Sequence, residues 1–187
     1  MPKRPIILAS ASSIRKQILE QYGFDFEVIP ANINERTFEP LDATGLANAK
    51  ALAISQSHPN AIVIGADQIC HMNGRVFHKP GSVKNAIKTL QQLQGQTHVL
   101  LTAATIAINN QIKWSGLDEI HLTMRVLSTN EIENYINIDG PIHSCGAYKF
   151  ESLGQTLFES VTHPSESIQG LPTKKLIPAI HQCLNTH

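Results

Sequence analysis

Residues 6–15 read IILASASSIR, a short apolar run followed at once by Ser10, Ser12, Ser13 and Arg15. Backbone N–H groups at a helix start lack partners, and the helix dipole favours negative charge there. Serine hydroxyls add donors, and a guanidinium grips phosphate through a fork of N–H groups. The step therefore suits an anion, a phosphate above all. It equally suits plain capping by Ser12 or Ser13 with Arg15 in solvent, and the pattern alone leaves both readings open.

A second group is acidic and basic. Asp67, in GADQ, follows the buried-strand signal AIVIG at 61–65. It stands at the carboxyl end of that strand, where open α/β sheets bind ligands. A carboxylate there can hold a hard cation or orient a water, or simply shape a turn. Lys79, in HKPG, precedes a Pro-Gly turn and a helix start, a place from which an ammonium reaches phosphate. Lys50 lies on an Ala- and Leu-rich helix, and Glu35 in a polar loop between Pro30 and Pro40. Each of these, taken singly, fits a solvated charge. No Walker loop, Gly-x-Gly-x-x-Gly or Gly-x-Ser-x-Gly occurs.

The elements that must carry these residues follow from period and punctuation. PIILA (5–9) predicts a buried strand. The next helix places Ile14, Ile18, Leu19 and Tyr22 at helical spacing and stops at Gly23. FDFEVI (24–29) alternates as a half-buried strand. A helix over roughly residues 43–57 carries Lys50. Asn73-Gly74 signals a hairpin. Ser82 starts a helix with Ala86, Ile87, Leu90 and Leu93 on one face, stopped by Gly95. THVLLTAATIAI and DEIHLTMRVL predict two long strands joined through Asn109-Asn110. STNE at 128–131 is a capping box ahead of Ile132, Tyr135 and Ile136. The last third is less periodic until a final helix with Pro172 near its first turn, where Pro178 predicts a bend or an early break.

Strand and helix alternate first, and hairpins follow. That order predicts an α/β fold on a mixed, twisted sheet flanked by helices, with two lobes and a central cleft. The 187 residues suffice for one such domain over 1–187, and no linker or repeat divides them. Fifteen basic and fifteen acidic side chains cancel, which argues against a nucleic-acid polymer as partner. The basic start MPKRPIILAS is too short in its apolar part for a signal segment, and no run spans a membrane. Cys70, Cys145 and Cys183 are widely spaced, so thiols in a reducing cytoplasm are expected, not disulfides or zinc. The nine histidines are scattered without metal-ligand spacing.

The strings LASASSIRKQIL, INE, ANAKA, GADQ, HKP, GAYKFE and GLP occur here in the order found in the Maf family of nucleoside triphosphate pyrophosphatases, which the chain resembles from about residue 6 to residue 180. The resemblance implies a Maf/ITPase-like fold, often dimeric. It implies cleavage of a nucleotide between its α- and β-phosphates with a divalent cation, Mg²⁺ or Mn²⁺. It places substrate-binding roles on Ser10, Ser12, Arg15, Lys50, Gln68, Lys79 and Glu151. It also assigns metal-binding roles to Glu35 and Asp67, and makes Asp67 the expected catalytic residue that activates water.

Some positions depart from the usual pattern. Ser13 and Ile14 stand where a proline and a second arginine are common, and Asn34 stands where an aspartate is usual. Gln68 after Asp67, Glu151, and the tail LGQTLFESV resemble the Maf subgroup acting on 7-methyl-GTP, not the one preferring dTTP and UTP. Glutamate suits that base, because it accepts from guanine N1–H and N2–H₂ together and N7-methylation makes the ring cationic. Tyr148 or Phe150 would offer a ring to stack on it. The alternatives are a dTTP/UTP pyrophosphatase, or a weakly active nucleotide-binding regulator of cell division.

Overall fold

Alternation along the first strands decides what packs where. In the computed structural model, which describes residues 4–185, β1 (Ile6–Leu8) pairs in parallel with β2 (Glu27–Val28) and with β3 (Ile62–Met72). Parallel neighbours need crossovers, and helices α1 (Ser13–Gln21) and α2 (Ala43–Ser55) supply them. Ile6, Leu8, Ile62 and Ile64 point to one face, where Ile18 and Leu19 of α1 and Leu176 and Ile180 of α6 (Thr173–Asn185) cover them. Ile7, Ala9 and Val63 point to the other, against Ala51 of α2. Both faces are thus buried, and AIVIG accordingly reads as an unbroken apolar run.

The sheet continues through β5 (Thr97–Ile108) and β6 (Gln111–Met124) to β7 (Phe158–Val161), in the order β2-β1-β3-β5-β6-β7, with β4 (Arg75–Val76) paired antiparallel to β3. Both turn signals are borne out. Asn73 and Gly74 take φ of 50° and 79°, and Asn109 and Asn110 take 50° and 55°, the left-handed pair that two-residue hairpins need.

The chain divides into two compact units, the first from Met1–Asp67, Thr102–Asp118 and Gly170–His187, the second from Gln68–Leu101 and Glu119–Gln169. Residues 1–3, within the basic start, lie outside the described residues. The second unit has its own core, in which Ala86, Leu90 and Leu93 of α3 (Val83–Leu93) and Ile132, Tyr135 and Ile136 of α4 (Thr129–Asp139) meet Leu100, Ile120 and Leu122. Ser82 caps α3, and Ser128 with Glu131 forms the predicted box on α4.

Five expectations change. Asp67 does not stand at the carboxyl end of a strand ending at Gly65, because β3 continues to Met72 and carries Asp67 and Gln68 within it, its far half pairing with β4. Tyr22 is 43% exposed, because α1 ends before it and turns at Gly23. The half-buried strand at 24–29 shrinks to Glu27–Val28, although Phe24 and Phe26 still pack on the core. The second long strand starts at Gln111 and stops at Met124, short of residue 127. Pro178 does not end its helix, which continues to Asn185, so packing of Leu176, Ala179 and Ile180 outweighs the lost backbone bond. The less periodic third also holds a short helix, α5 (Ser165–Ile168), and β7, which the sequence pattern did not indicate.

Candidate active site

The strand parity of β3 places its chemistry. Val63, Gly65 and Asp67 share the face covered by α2. A side chain on Gly65 would put its Cβ 2.2 Å from the Ala47 carbonyl oxygen and 2.6 Å from the Ala51 nitrogen. Helix and strand therefore touch backbone to backbone, with only alanines between. Lys50 sits on the same side of α2, beside Ala51, and Asp67 lies two residues past Gly65. Their side chains meet, with Lys50 Nζ donating to Asp67 Oδ1 at 2.6 Å. The same ammonium lies 2.7 Å from Glu35 Oε1, at the start of the 3₁₀ turn Glu35–Thr37. The Lys50 and Asp67 side chains are 12% and 13% exposed, whereas that of Glu35 is 59% exposed. The first pair is thus largely desolvated, and the second reaches water.

A further network holds α2. Thr105 on β5, fully buried, donates to Asn48 Oδ1 at 2.6 Å, and Ser115 on β6 donates to the same oxygen at 2.9 Å. Sequence reading missed this. ANAKA showed only small residues around a lysine, and the hydroxyl partners lie more than fifty positions away.

The opening motif folds as a cap and a clamp. Ser12 is the N-cap of α1, accepting from the Arg15 amide at 3.4 Å. Ser10, 7% exposed, accepts from the Ser12 amide and from Arg15 Nη1 at 3.2 Å. The Arg15 guanidinium also donates from Nη1 to the Ala66 carbonyl at 2.9 Å and from Nε to the Gly170 carbonyl at 3.0 Å. Gly170 takes φ of 111°, and a Cβ there would come within 3.1 Å of Arg15 Nε. Arg15 is thus not simply solvated. Its fork bridges Ser10 after β1, Ala66 on β3, one residue from Asp67, and the segment before α6.

The remaining candidates belong to the second unit. The Gln68 amide donates to the carbonyls of Ser167 and Ile168, the latter at 2.9 Å, and its oxygen accepts from the Cys145 thiol at 3.5 Å. Lys79 is exposed in the loop before α3, and Glu151 is exposed in the loop after Tyr148. Tyr148 is not a stacking platform. It is 5% exposed, bonded to His98 Nε2 at 2.9 Å and packed edge-on to Phe158. Burial pushes its phenol and the neighbouring Cys70 thiol well up from their ordinary pKa values. The three cysteines are free.

Within the first unit, Arg15 thus reaches the Ala66 carbonyl and Lys50 reaches Asp67, the next residue on β3. A profile described as "Maf-like protein" matches residues 5–183. The chain belongs to the Maf family. A nucleoside triphosphate pyrophosphatase of Legionella pneumophila (strain Lens) is 37% identical over 188 residues, covering 96% of this chain and 94% of that protein. A 7-methyl-GTP pyrophosphatase of Polaromonas sp. is 36% identical over 185 residues, covering 94% and 84%. Another of that name, from Brucella abortus, is 35% identical over 189 residues, covering 95% of each.

Proposed function

We propose that this chain hydrolyses 7-methyl-GTP to 7-methyl-GMP and diphosphate by breaking the α–β phosphate bond. Family membership carries the broader statement: this is a Maf nucleoside triphosphate pyrophosphatase, a hydrolase acting on acid anhydrides. The observation that supports a hydrolytic centre is the Lys50 ammonium held between the Asp67 and Glu35 carboxylates.

In this reading water attacks the α-phosphorus, and its proton passes to the Asp67 carboxylate. The bond to the bridging oxygen breaks, and diphosphate leaves with the electron pair. Lys50, Arg15 and Lys79 offset charge that grows on the phosphates in the transition state. The Lys50 pairing keeps the Asp67 carboxylate oriented until substrate arrives. Ser10, Ser12 and the start of α1 would contribute donors toward phosphate oxygens.

Glu35 and Asp67 fit a hard divalent cation, since two carboxylates already converge on one positive charge with oxygen donors only. They would hold Mg²⁺ or Mn²⁺, which supplies further charge neutralisation at the phosphates when bound. Asn34, where the family commonly has an acid, leaves this set with one carboxylate fewer. Glu151 would accept from the guanine edge, and Gln68 would act from within β3, beside Asp67.

No described helix is long and apolar enough to cross a membrane. A cytoplasmic location and a homodimer form part of this proposal.

Diphosphate release from 7-methyl-GTP, GTP, dTTP and UTP, each with Mg²⁺ and with Mn²⁺, tests it. The methylated nucleotide should turn over fastest. Equal or faster dTTP turnover would transfer the chain to the pyrimidine subgroup. Binding without release from any of the four would favour the regulator.

A further inference from the structure

We propose that Asp139 is a positioning residue that sets where Glu151 presents its carboxylate, and so takes part in choosing the base. The inference deepens the reading above and rests on Glu151 contacting the base.

Lys149, two positions before Glu151, and Ser152, one after it, are tied to the end of α4. Lys149 Nζ donates to the Asp139 carbonyl at 2.6 Å, and Ser152 Oγ donates to Asp139 Oδ1 at 2.6 Å. The Lys149 amide donates to the Tyr135 hydroxyl, one turn earlier, at 2.9 Å. The loop also closes on itself, because the amides of Ser152 and Gly154 both donate to the Lys149 carbonyl, at 3.2 and 3.0 Å. Gly154 permits this closure, since a Cβ there would lie 2.3 Å from that carbonyl oxygen. An exposed carboxylate thus rides on a loop with both shoulders fixed.

Asp139 gives up more than a helix end requires. Its Oδ2 is buried and makes no hydrogen bond, an arrangement that costs stability when it serves nothing. Burial raises the Tyr135 pKa. The Lys149 amide works against that rise, and the neighbouring Asp139 carboxylate adds to it. A second anionic group beside the loop matches a cationic base. A clamp on the loop matches the need for donor and acceptor to meet without prior reordering.

The test compares kcat/KM for 7-methyl-GTP and for UTP in Glu151→Gln, Asp139→Ala, Asp139→Asn and Ser152→Ala, with thermal unfolding alongside. Glu151→Gln should lower the ratio most. Asp139→Ala should lower it about tenfold, since a small misplacement of a positioned group carries penalties of that order or larger. Asp139→Asn keeps an acceptor for Ser152 and should recover part of the ratio, an effect that a purely structural role does not give. Ser152→Ala removes one exposed bond and should shift the ratio the same way; it decides the matter where Asp139→Ala fails to fold. If Glu151→Gln moves the ratio while the folded Asp139 and Ser152 variants keep the wild-type value, the clamp is overturned. If Glu151→Gln leaves the ratio unmoved, the base-reading role of Glu151 falls, and this inference with it.

Discussion

Lys50 Nζ and Asp67 Oδ1 lie 2.6 Å apart, with about seven-eighths of each side chain removed from solvent. An ion pair in that setting is weak evidence of stability, because desolvation offsets much of the attraction. It is strong evidence of placement, since α2 and β3 must both hold register for the two groups to meet.

Breaking the pair from one side strands a charge. Lys50→Met should destabilise the protein by about 3 kcal/mol. Asp67→Asn should fold with a smaller loss, keep nucleotide binding, and lose turnover by a factor of about 100 or more. A double-mutant cycle on urea midpoints should give a coupling energy of about 0.5–3 kcal/mol. Additive effects would mean the pair does not exist in solution, and full activity in Asp67→Asn would remove that residue from the chemistry.

Gly65 tests whether helix approach sets the site. In Gly65→Ala the new methyl meets the backbone of Ala47 and Ala51, which cannot rotate away. Overpacking of this kind costs about 1–3 kcal/mol. Because α2 carries Lys50, kcat should fall even where the variant is fully folded at the assay temperature. A stability loss with unchanged kcat would show that the Lys50–Asp67 contact tolerates movement of α2.

His98 predicts an acid limb in stability. It is 1% exposed, and burial, then the nearby His71, lowers its pKa from 6.5 to about 4. Between those values the unfolded chain holds a proton that the folded chain refuses, so stability falls as pH drops from about 6.5 to about 4 and levels off below. The loss is on the order of 3 kcal/mol. His98→Gln can still bond the Tyr148 hydroxyl and should flatten this limb in urea titrations taken across that pH range. A wild-type slope in the variant would place the titrating group elsewhere.

Local features were legible in the residues themselves. Caps at Ser82 and Ser128 and turns at Asn73-Gly74 and Asn109-Asn110 depend on neighbours a few positions away, and the same signals narrowed the first cap to Ser12 or Ser13. The ordered motifs were enough to assign the family. Three-dimensional packing alone decided that Arg15 spends its donors on Ala66 and Gly170, that Asn48 gathers Thr105 and Ser115, and that Tyr148 enters a core. It also decided that Asp139 grips the Glu151 loop. The physical reason is that periodicity records which side of its own element a residue faces, while the group waiting on that side is brought there by long-range packing.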